Sequence, residues 1–348
     1  MKLSLVLGAY SGVYALQAST LESQGIIDGP ANYIKNLVAN GNKEKLAMLL
    51  KYKNKVPLVK LKDPSNFKPP ERSLLLKGLE FSYMPMCSKA SMLQNACICD
   101  SAYDSIEYAN NLEYKASSLI AYHSPTRLLV VSYKYTSSAR NWLTNLDYIL
   151  TDMEGAPSDV KVHRGMYHHY MSIHNETMSK AAKILATRDV KGVFVTGYSL
   201  GGSLAIISTP YWAKFKETNN VPVDVVSYSG ARPGNMQAKL YFESQGINIV
   251  RYTNKKDVVP SLPPRFAGYV HTGLEIHEHS VSTFKTELMV CSQEFDEDPQ
   301  CAYGESGRKS ATLHYMPFNN LLLLPPSAAK ARSPNFPFQS TLSEKLFY

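Results

Sequence analysis

The sequence predicts an α/β fold with a mostly parallel central sheet and helices on both of its faces. Short β-branched or aromatic runs, such as residues 193–195, alternate along the chain with longer helical patterns. Several of these runs end in clusters of Gly, Asn or Asp, which are typical of turns. The chain has 348 residues, 44% of them hydrophobic, so it can bury one large core and carry an extension.

The elements are expected in the following order. Residues 79–112 form a helical, cysteine-bearing region. Two strands follow, joined by a Ser-Pro turn, and then a long helix that precedes the strand at 193–195. Two further strands end in turn residues. The ranges of these predicted strands and of the long helix are 117–122, 128–135, 167–187, 223–229 and 247–252.

The N-terminal part of the chain differs in character from the rest. Residues 1–18 combine Lys2, an apolar run and small residues, which is typical of a secretory signal peptide and too short for a membrane span. An ordinary buried segment is the alternative. Residues 19–76 are rich in Lys and Pro and predict a basic extension or pro-segment before a main domain over 77–348. We therefore expect a secreted protein, or one kept in a secretory compartment or vacuole.

Charge and cysteine content limit the possible partners. The formal net charge of +8 suits contact with anionic lipid or acidic polymers, but a merely solvated basic face is the favoured interpretation. No basic repeat interleaved with aromatics indicates nucleic acid. Cys291 and Cys301 are placed to close a local loop, and Cys87 is expected to pair with Cys97 or Cys99. A zinc site is the alternative, although no C-x-x-C pair completes one. The sequon at Asn175 predicts a glycosylated residue on the exposed face of a helix.

The clearest chemical signal is the G-x-S-x-G pattern from Gly197 to Gly201. A strand that turns abruptly into a helix holds the middle residue in a strained conformation, and glycines on both sides remove the clash. This places the Ser199 hydroxyl at the top of a sheet as a nucleophile. A Gly-rich turn without chemistry is the alternative, but the strand before and the helix after favour the nucleophile.

A serine nucleophile needs a base, and the base needs a carboxylate that orients it. Asp257 follows a predicted strand and suits the acid better than Asp224, which lies inside one. The histidines downstream are His271, His277, His279 and His314. His271 is too near Asp257 in the chain to reach round to the serine. A metal site at His277 and His279 would lack a third ligand. We expect His314 to be the base.

Ester hydrolysis also needs donors for the oxyanion. We expect one from the backbone N–H of Leu200 and the second from Thr136, which follows the strand at 128–135. An exposed turn threonine is the alternative for Thr136.

Together these residues give the chain a resemblance to the fungal-type class 3 lipases of the α/β-hydrolase superfamily, from about residue 79 to residue 320. The blocks that carry it are TSSARNW, VHRGM, VTGYSLGG, NKKDVVPSLPP, GYVH and LHY, which begin at positions 136, 162, 195, 254, 268 and 313. The resemblance implies that Ser199, Asp257 and His314 form the triad, with Thr136 in the oxyanion hole. It also implies an amphipathic lid helix that carries Trp142, Leu143 and Leu146; an ordinary core helix is the alternative.

Two departures from the family stand beside the site. Tyr198 occupies the position before the nucleophile where the family usually has His, and Tyr135 stands where Gly is common, which puts the acyl-chain preference in doubt. The sequence thus predicts a triacylglycerol lipase, without cofactor or metal, that acts as a monomer with transient contact to a lipid surface. A phospholipase or feruloyl-type esterase on the same triad, and a catalytically silent lipase-fold binding protein, are the alternatives.

Overall fold

The computed structural model describes residues 60–61, 66–86, 102–135, 148–282, 285–304, 309 and 313–315. Five helices lie in this part of the chain: α1 (Arg72–Tyr83), α2 (Arg164–Leu185), α3 (Leu200–Ile207), α4 (Thr209–Asn219) and α5 (Met236–Glu243). Within the same ranges, no helix has both the length and the apolar character that a membrane crossing needs.

Ten strands accompany these helices where the chain is described. They are β1 (Tyr103–Asn111), β2 (Ala116–His123), β3 (Leu128–Tyr133), β4 (Leu150–Asp152), β5 (Lys161–His163), β6 (Gly192–Tyr198), β7 (Val223–Tyr228), β8 (Asn248–Asn254), β9 (Leu274–Ser282) and β10 (Lys285–Val290). Short 3₁₀ turns cover Met84–Met86, Val259–Ser261, Arg265–Ala267 and Leu313–Tyr315.

Eight strands form one sheet in the order β1-β2-β3-β6-β7-β8-β9-β10, and β4 pairs separately with β5. The pairs from β3 through β6, β7 and β8 to β9 are parallel, and the pairs at both ends of the sheet are antiparallel. Parallel strands need crossover connections, which α2 supplies between β3 and β6 and α5 between β7 and β8. The predicted mostly parallel sheet is confirmed.

Helices cover both faces of this sheet, as the sequence predicts. Val193 and Val195 of β6 face the larger apolar cluster, to which α2 and α3 contribute. Phe194 and Tyr198, one residue out of phase, face a second cluster beneath α1. Helix α1 lies so close to the sheet that a Cβ at Gly78 would overlap the Phe194 ring, so the approach requires glycine.

The helical region predicted over residues 79–112 is wrong in its last part. Helix α1 ends at Tyr83, and β1 is an edge strand paired with β2. Its buried residues Tyr103, Ile106 and Ala109 are three apart, which imitates helical spacing. The spacing arises because the register shifts between Asp104 and Glu107, and because the strand buries side chains on both of its faces. Residues 87–99 lie outside the described part of the chain.

The described part of the predicted extension packs on the main domain. The backbone N–H of Leu61 donates to the carbonyl of Glu294 at 2.8 Å, and the Asn248 side chain exchanges two hydrogen bonds with the Lys68 backbone. The predicted boundary between residues 76 and 77 falls inside helix α1. Residues 1–18, the predicted signal peptide, lie outside the described residues.

Candidate active site

Ser199 lies on a sharp turn between β6 and α3. Its backbone has φ 55° and ψ −122°, a conformation that side chains rarely tolerate, and its N–H donates to the carbonyl of Tyr228 on β7 at 2.9 Å. A Cβ at Gly197 would overlap the backbone of Gly201, and a Cβ at Gly201 would overlap the carbonyl oxygen of Tyr133. The two glycines therefore permit the strained turn that the sequence pattern predicts.

Asp257 and His314, 57 residues apart in sequence, meet in the structure. The Asp257 carboxylate follows β8 and is held by the Val259 N–H at 2.9 Å. Its other oxygen, Oδ2, lies 2.8 Å from Nδ1 of His314, and both side chains are buried. A carboxylate accepts hydrogen bonds, so this contact places the ring proton on Nδ1 and makes Nε2 the basic nitrogen of the ring.

The His314 turn lies against the residue that precedes Ser199. The Tyr198 and His314 rings are 5.0 Å apart between centroids, and the Tyr198 hydroxyl donates to the backbone carbonyl of His314. The Asn254 side-chain amide donates to the neighbouring carbonyl of Leu313. Burial, and then the negative charge of Asp257, raise the pKa of Tyr198, so its hydroxyl keeps the proton that it donates. Two side chains thus fix the turn that presents the imidazole.

The Ser199 hydroxyl is fully buried and has no hydrogen-bond partner among the described residues. A buried hydroxyl without a partner is costly and is common where a group is kept ready for reaction. The first N–H groups of α3, beginning at Leu200, lie directly after it and have no partner within their own helix. Thr136 and the predicted lid residues Trp142, Leu143 and Leu146 lie outside the described residues.

The other candidate histidines have different partners. His271 is buried, and its Nε2 lies 2.7 Å from the carbonyl oxygen of Pro260. Burial, together with the charge of Arg251, lowers the pKa of His271 well below its usual value. It therefore remains neutral and donates to the loop that follows Asp257. His277 on β9 contacts the Thr253 hydroxyl at 2.9 Å.

Comparison with known proteins finds lipases among those similar to this chain. The sequence profile of the family described as lipase (class 3) matches residues 130–267. A lipase of Rhizomucor miehei is 27% identical over 206 residues, which are 58% of this chain and 55% of that protein. A secreted mono- and diacylglycerol lipase of Fusarium solani is 28% identical over 160 residues, 45% of each chain. The chain thus spans about half the length of the curated relatives that it matches.

Residues 130–267 thus carry the sequence pattern of the class 3 lipases, and the chain is similar to fungal members of that family. Among solved structures, lipase II from Rhizopus niveus superposes with a TM-score of 0.63 at 21% identity, over 72% of this chain and 94% of that one. At this identity the superposition identifies the fold, which is that of an α/β-hydrolase.

A buried ionic network lies beside the Asp257 loop. Arg232, four residues beyond the end of β7, makes two hydrogen bonds of 2.7 Å with Glu297. It also donates to the backbone carbonyls of Ser261 at 2.6 Å and Pro263 at 3.0 Å. Burial alone would raise the pKa of Glu297, but the charge and hydrogen bonds of Arg232 hold it well below its usual value.

The predicted Cys291–Cys301 disulfide is confirmed, and the loop that it closes carries Glu297. Cys87, Cys97 and Cys99 lie outside the described residues. Sequence reasoning missed the network. The signal was an acidic run at 296–298 between two cysteines, with an arginine directly after a strand. Nothing local in the sequence indicates that these two segments meet.

Tyr135 packs into an aromatic cluster on the α1 side of the sheet. Its ring lies 5.3 Å from Tyr83 and 6.2 Å from Tyr198 in edge-to-face geometry. Tyr83 and Tyr198 are themselves 4.6 Å apart. Tyr135 and Tyr198, the two positions that differ from the family pattern, therefore contact each other and share Tyr83 as a neighbour.

Proposed function

We propose that this chain is a secreted serine carboxylic-ester hydrolase, most closely a triacylglycerol lipase. The proposal depends on a strained, unbonded Ser199 hydroxyl and on a buried Asp257–His314 pair whose imidazole packs against Tyr198, the residue before the serine. That arrangement suits acyl transfer, because the carboxylate orients the imidazole and the imidazole removes the serine proton. Relatives named lipase and mono- and diacylglycerol lipase support an ester as the substrate.

The proposed reaction has two stages. His314 Nε2 takes the Ser199 proton as Oγ attacks the ester carbonyl, and the leaving alcohol receives that proton. Water then attacks the acyl-enzyme with the same imidazole as base. We propose that the N–H of Leu200 and the Thr136 donor bind the oxyanion. No cofactor is required by this scheme.

Substrate access forms part of the proposal. Because Ser199 is fully buried, a long-chain ester reaches it only after a covering segment moves. We propose that the segment with Trp142, Leu143 and Leu146 is this lid and that it opens at an oil–water interface. The sequon residue Asn175 is exposed on α2, which is consistent with glycosylation during export.

The test is a set of substrates with a matched inactive variant. Ser199→Ala is expected to lower kcat on a short p-nitrophenyl ester by about 10⁶, and a fluorophosphonate probe is expected to label only the wild type. Rates on emulsified triolein that rise above the solubility limit would support the lipase. A preference for phospholipid or for a soluble ester would favour the phospholipase or the esterase. An unlabelled wild type without any esterase activity would refute the enzyme and leave the binding protein.

A further inference from the structure

The β1–β2 hairpin ends in two apolar side chains that face solvent. Leu112 is 91% exposed and Tyr114 is 44% exposed, and Leu112 is the most exposed large apolar side chain in the described ranges. A single exposed leucine is ordinary in a globular protein. Its meaning depends on how firmly it is held and on where it points.

The hairpin tip is held firmly. The N–H of Lys115 donates to the carbonyl of Leu112 at 3.3 Å, and the N–H of Tyr114 donates to Oδ1 of Asn111 at 3.0 Å. The Asn111 amide also reaches the carbonyl of Ser172 on α2 at 3.4 Å. The contact with α2 and the two turn hydrogen bonds therefore hold the tip in the conformation that exposes Leu112.

The tip lies at the same end of the strands as the candidate active site. Strand register pairs Asn111 with Ala116, Ser118 with Tyr133, and Tyr133 with Gly197. The tip therefore lies beyond the carboxyl ends of β3 and β6, where the chain turns into Ser199. Three interstrand spacings separate β1 from β6, which is about 14 Å.

The chemistry of the tip suits an uncharged or zwitterionic lipid surface. Leucine supplies the apolar contact, and tyrosine prefers the boundary between hydrocarbon and water. The neighbouring charges of Glu113 and Lys115 are opposite and cancel, so the tip offers no net attraction to an anionic membrane. A protein partner would be expected to cover the leucine within a larger apolar patch.

We infer that the β1–β2 tip, residues 112–115, is a second contact with the lipid surface, separate from the proposed lid. It inserts Leu112 and Tyr114 into the interface and holds the end of the sheet that carries Ser199 against that interface. This inference rests on the proposed function, because the surface is that of the proposed substrate.

The test measures binding without catalysis. In a Ser199→Ala background, the full chain is floated with triolein droplets coated with phosphatidylcholine. Leu112→Ser is expected to lower the droplet partition coefficient about tenfold, from the transfer free energy of one leucine. Leu240→Ser is the matched control, because Leu240 is 51% exposed but lies on α5 on the flank of the sheet. It is expected to leave the partition coefficient unchanged.

A second readout separates this inference from the proposed function. In the active protein, Leu112→Ser is expected to leave hydrolysis of a water-soluble ester unchanged. Equal partition of Leu112→Ser and its parent, equal loss with Leu240→Ser, or a parent that does not bind droplets would each overturn the inference. So would a change in sedimentation that shows the tip docking a second copy. If no ester is hydrolysed, the proposed enzyme fails while flotation still decides the tip.

Discussion

Replacing Arg232 by Met should destabilise the fold strongly and slow the enzyme. The guanidinium is 4% exposed and carries four hydrogen bonds, two to Glu297 and one each to the carbonyls of Ser261 and Pro263. Methionine fills similar volume but leaves a buried carboxylate and two buried carbonyls without this partner. Removing one member of a buried ion pair costs about 3–5 kcal/mol.

We expect the lower part of that range, because Arg265 still lies 3.1 Å from Glu297 and the N–H of His271 still donates to it at 3.2 Å. Urea unfolding at pH 7 would then show a loss of about 3 kcal/mol with an unchanged slope. For a chain of this size the melting temperature should fall by about 4 °C. The turnover of a soluble ester should fall as well, because the carbonyls that Arg232 binds, those of Ser261 and Pro263, lie four and six residues after Asp257.

A double-mutant cycle tests the reasoning. If the cost arises from the unpaired charge, Arg232→Met combined with Glu297→Gln should cost less than the sum of the single changes by about 2 kcal/mol. The matched control is Arg188→Met, whose partner Asp104 lies 3.0 Å away in an exposed pair, and it should cost less than about 1 kcal/mol. Additive effects, or an Arg232→Met loss as small as the control's, would refute the assigned role of the network.

Three further changes address the site and its support. Tyr198→Phe keeps the ring but removes the donor to the His314 carbonyl, so kcat on a soluble ester should fall about fivefold, the equivalent of one hydrogen bond, with KM unchanged. Gly201→Ala would place a Cβ against the Tyr133 carbonyl, so thermal scans should show a large loss of stability or no folded protein. Glu297 has a folded pKa held well below its ordinary 4.5, so its stabilisation is complete above pH 4.5 and disappears as pH falls through the folded pKa. The difference in unfolding free energy between wild type and Glu297→Gln should therefore be smaller at pH 3 than at pH 7.

Each of these has an outcome that would contradict it. An equal kcat for Tyr198→Phe would mean that the hydroxyl does not position the His314 turn. Gly192→Ala is the control for Gly201→Ala, because its Cβ would meet its nearest neighbour at 3.4 Å, an ordinary contact, and it should remain stable. A pH-independent difference for Glu297→Gln would mean that the carboxylate keeps its charge at pH 3 in both states, or has none at pH 7.

Much of the fold was predictable because its signals are local. The strand at residues 193–195 and the turn at Ser199 follow from neighbouring residues, since only glycine tolerates the close approach around that turn. The Cys291–Cys301 loop is likewise short enough to be read from spacing. The sequence of strand β1 imitates a helix because a register shift gives its buried residues the three-residue spacing of a helix. Local pattern fails where the partner strand decides the structure.

The sequence by itself determined the strand–helix alternation, the strained serine turn and the disulfide loop, because each depends on backbone sterics within a few residues. Only the tertiary structure decided which histidine meets Asp257 and that Arg232 pairs with a carboxylate 65 residues away. It also decided that the Tyr198 hydroxyl donates to the carbonyl of His314. These contacts join the ends of different strands. Their geometry is set by sheet order and register, which no short stretch of sequence contains.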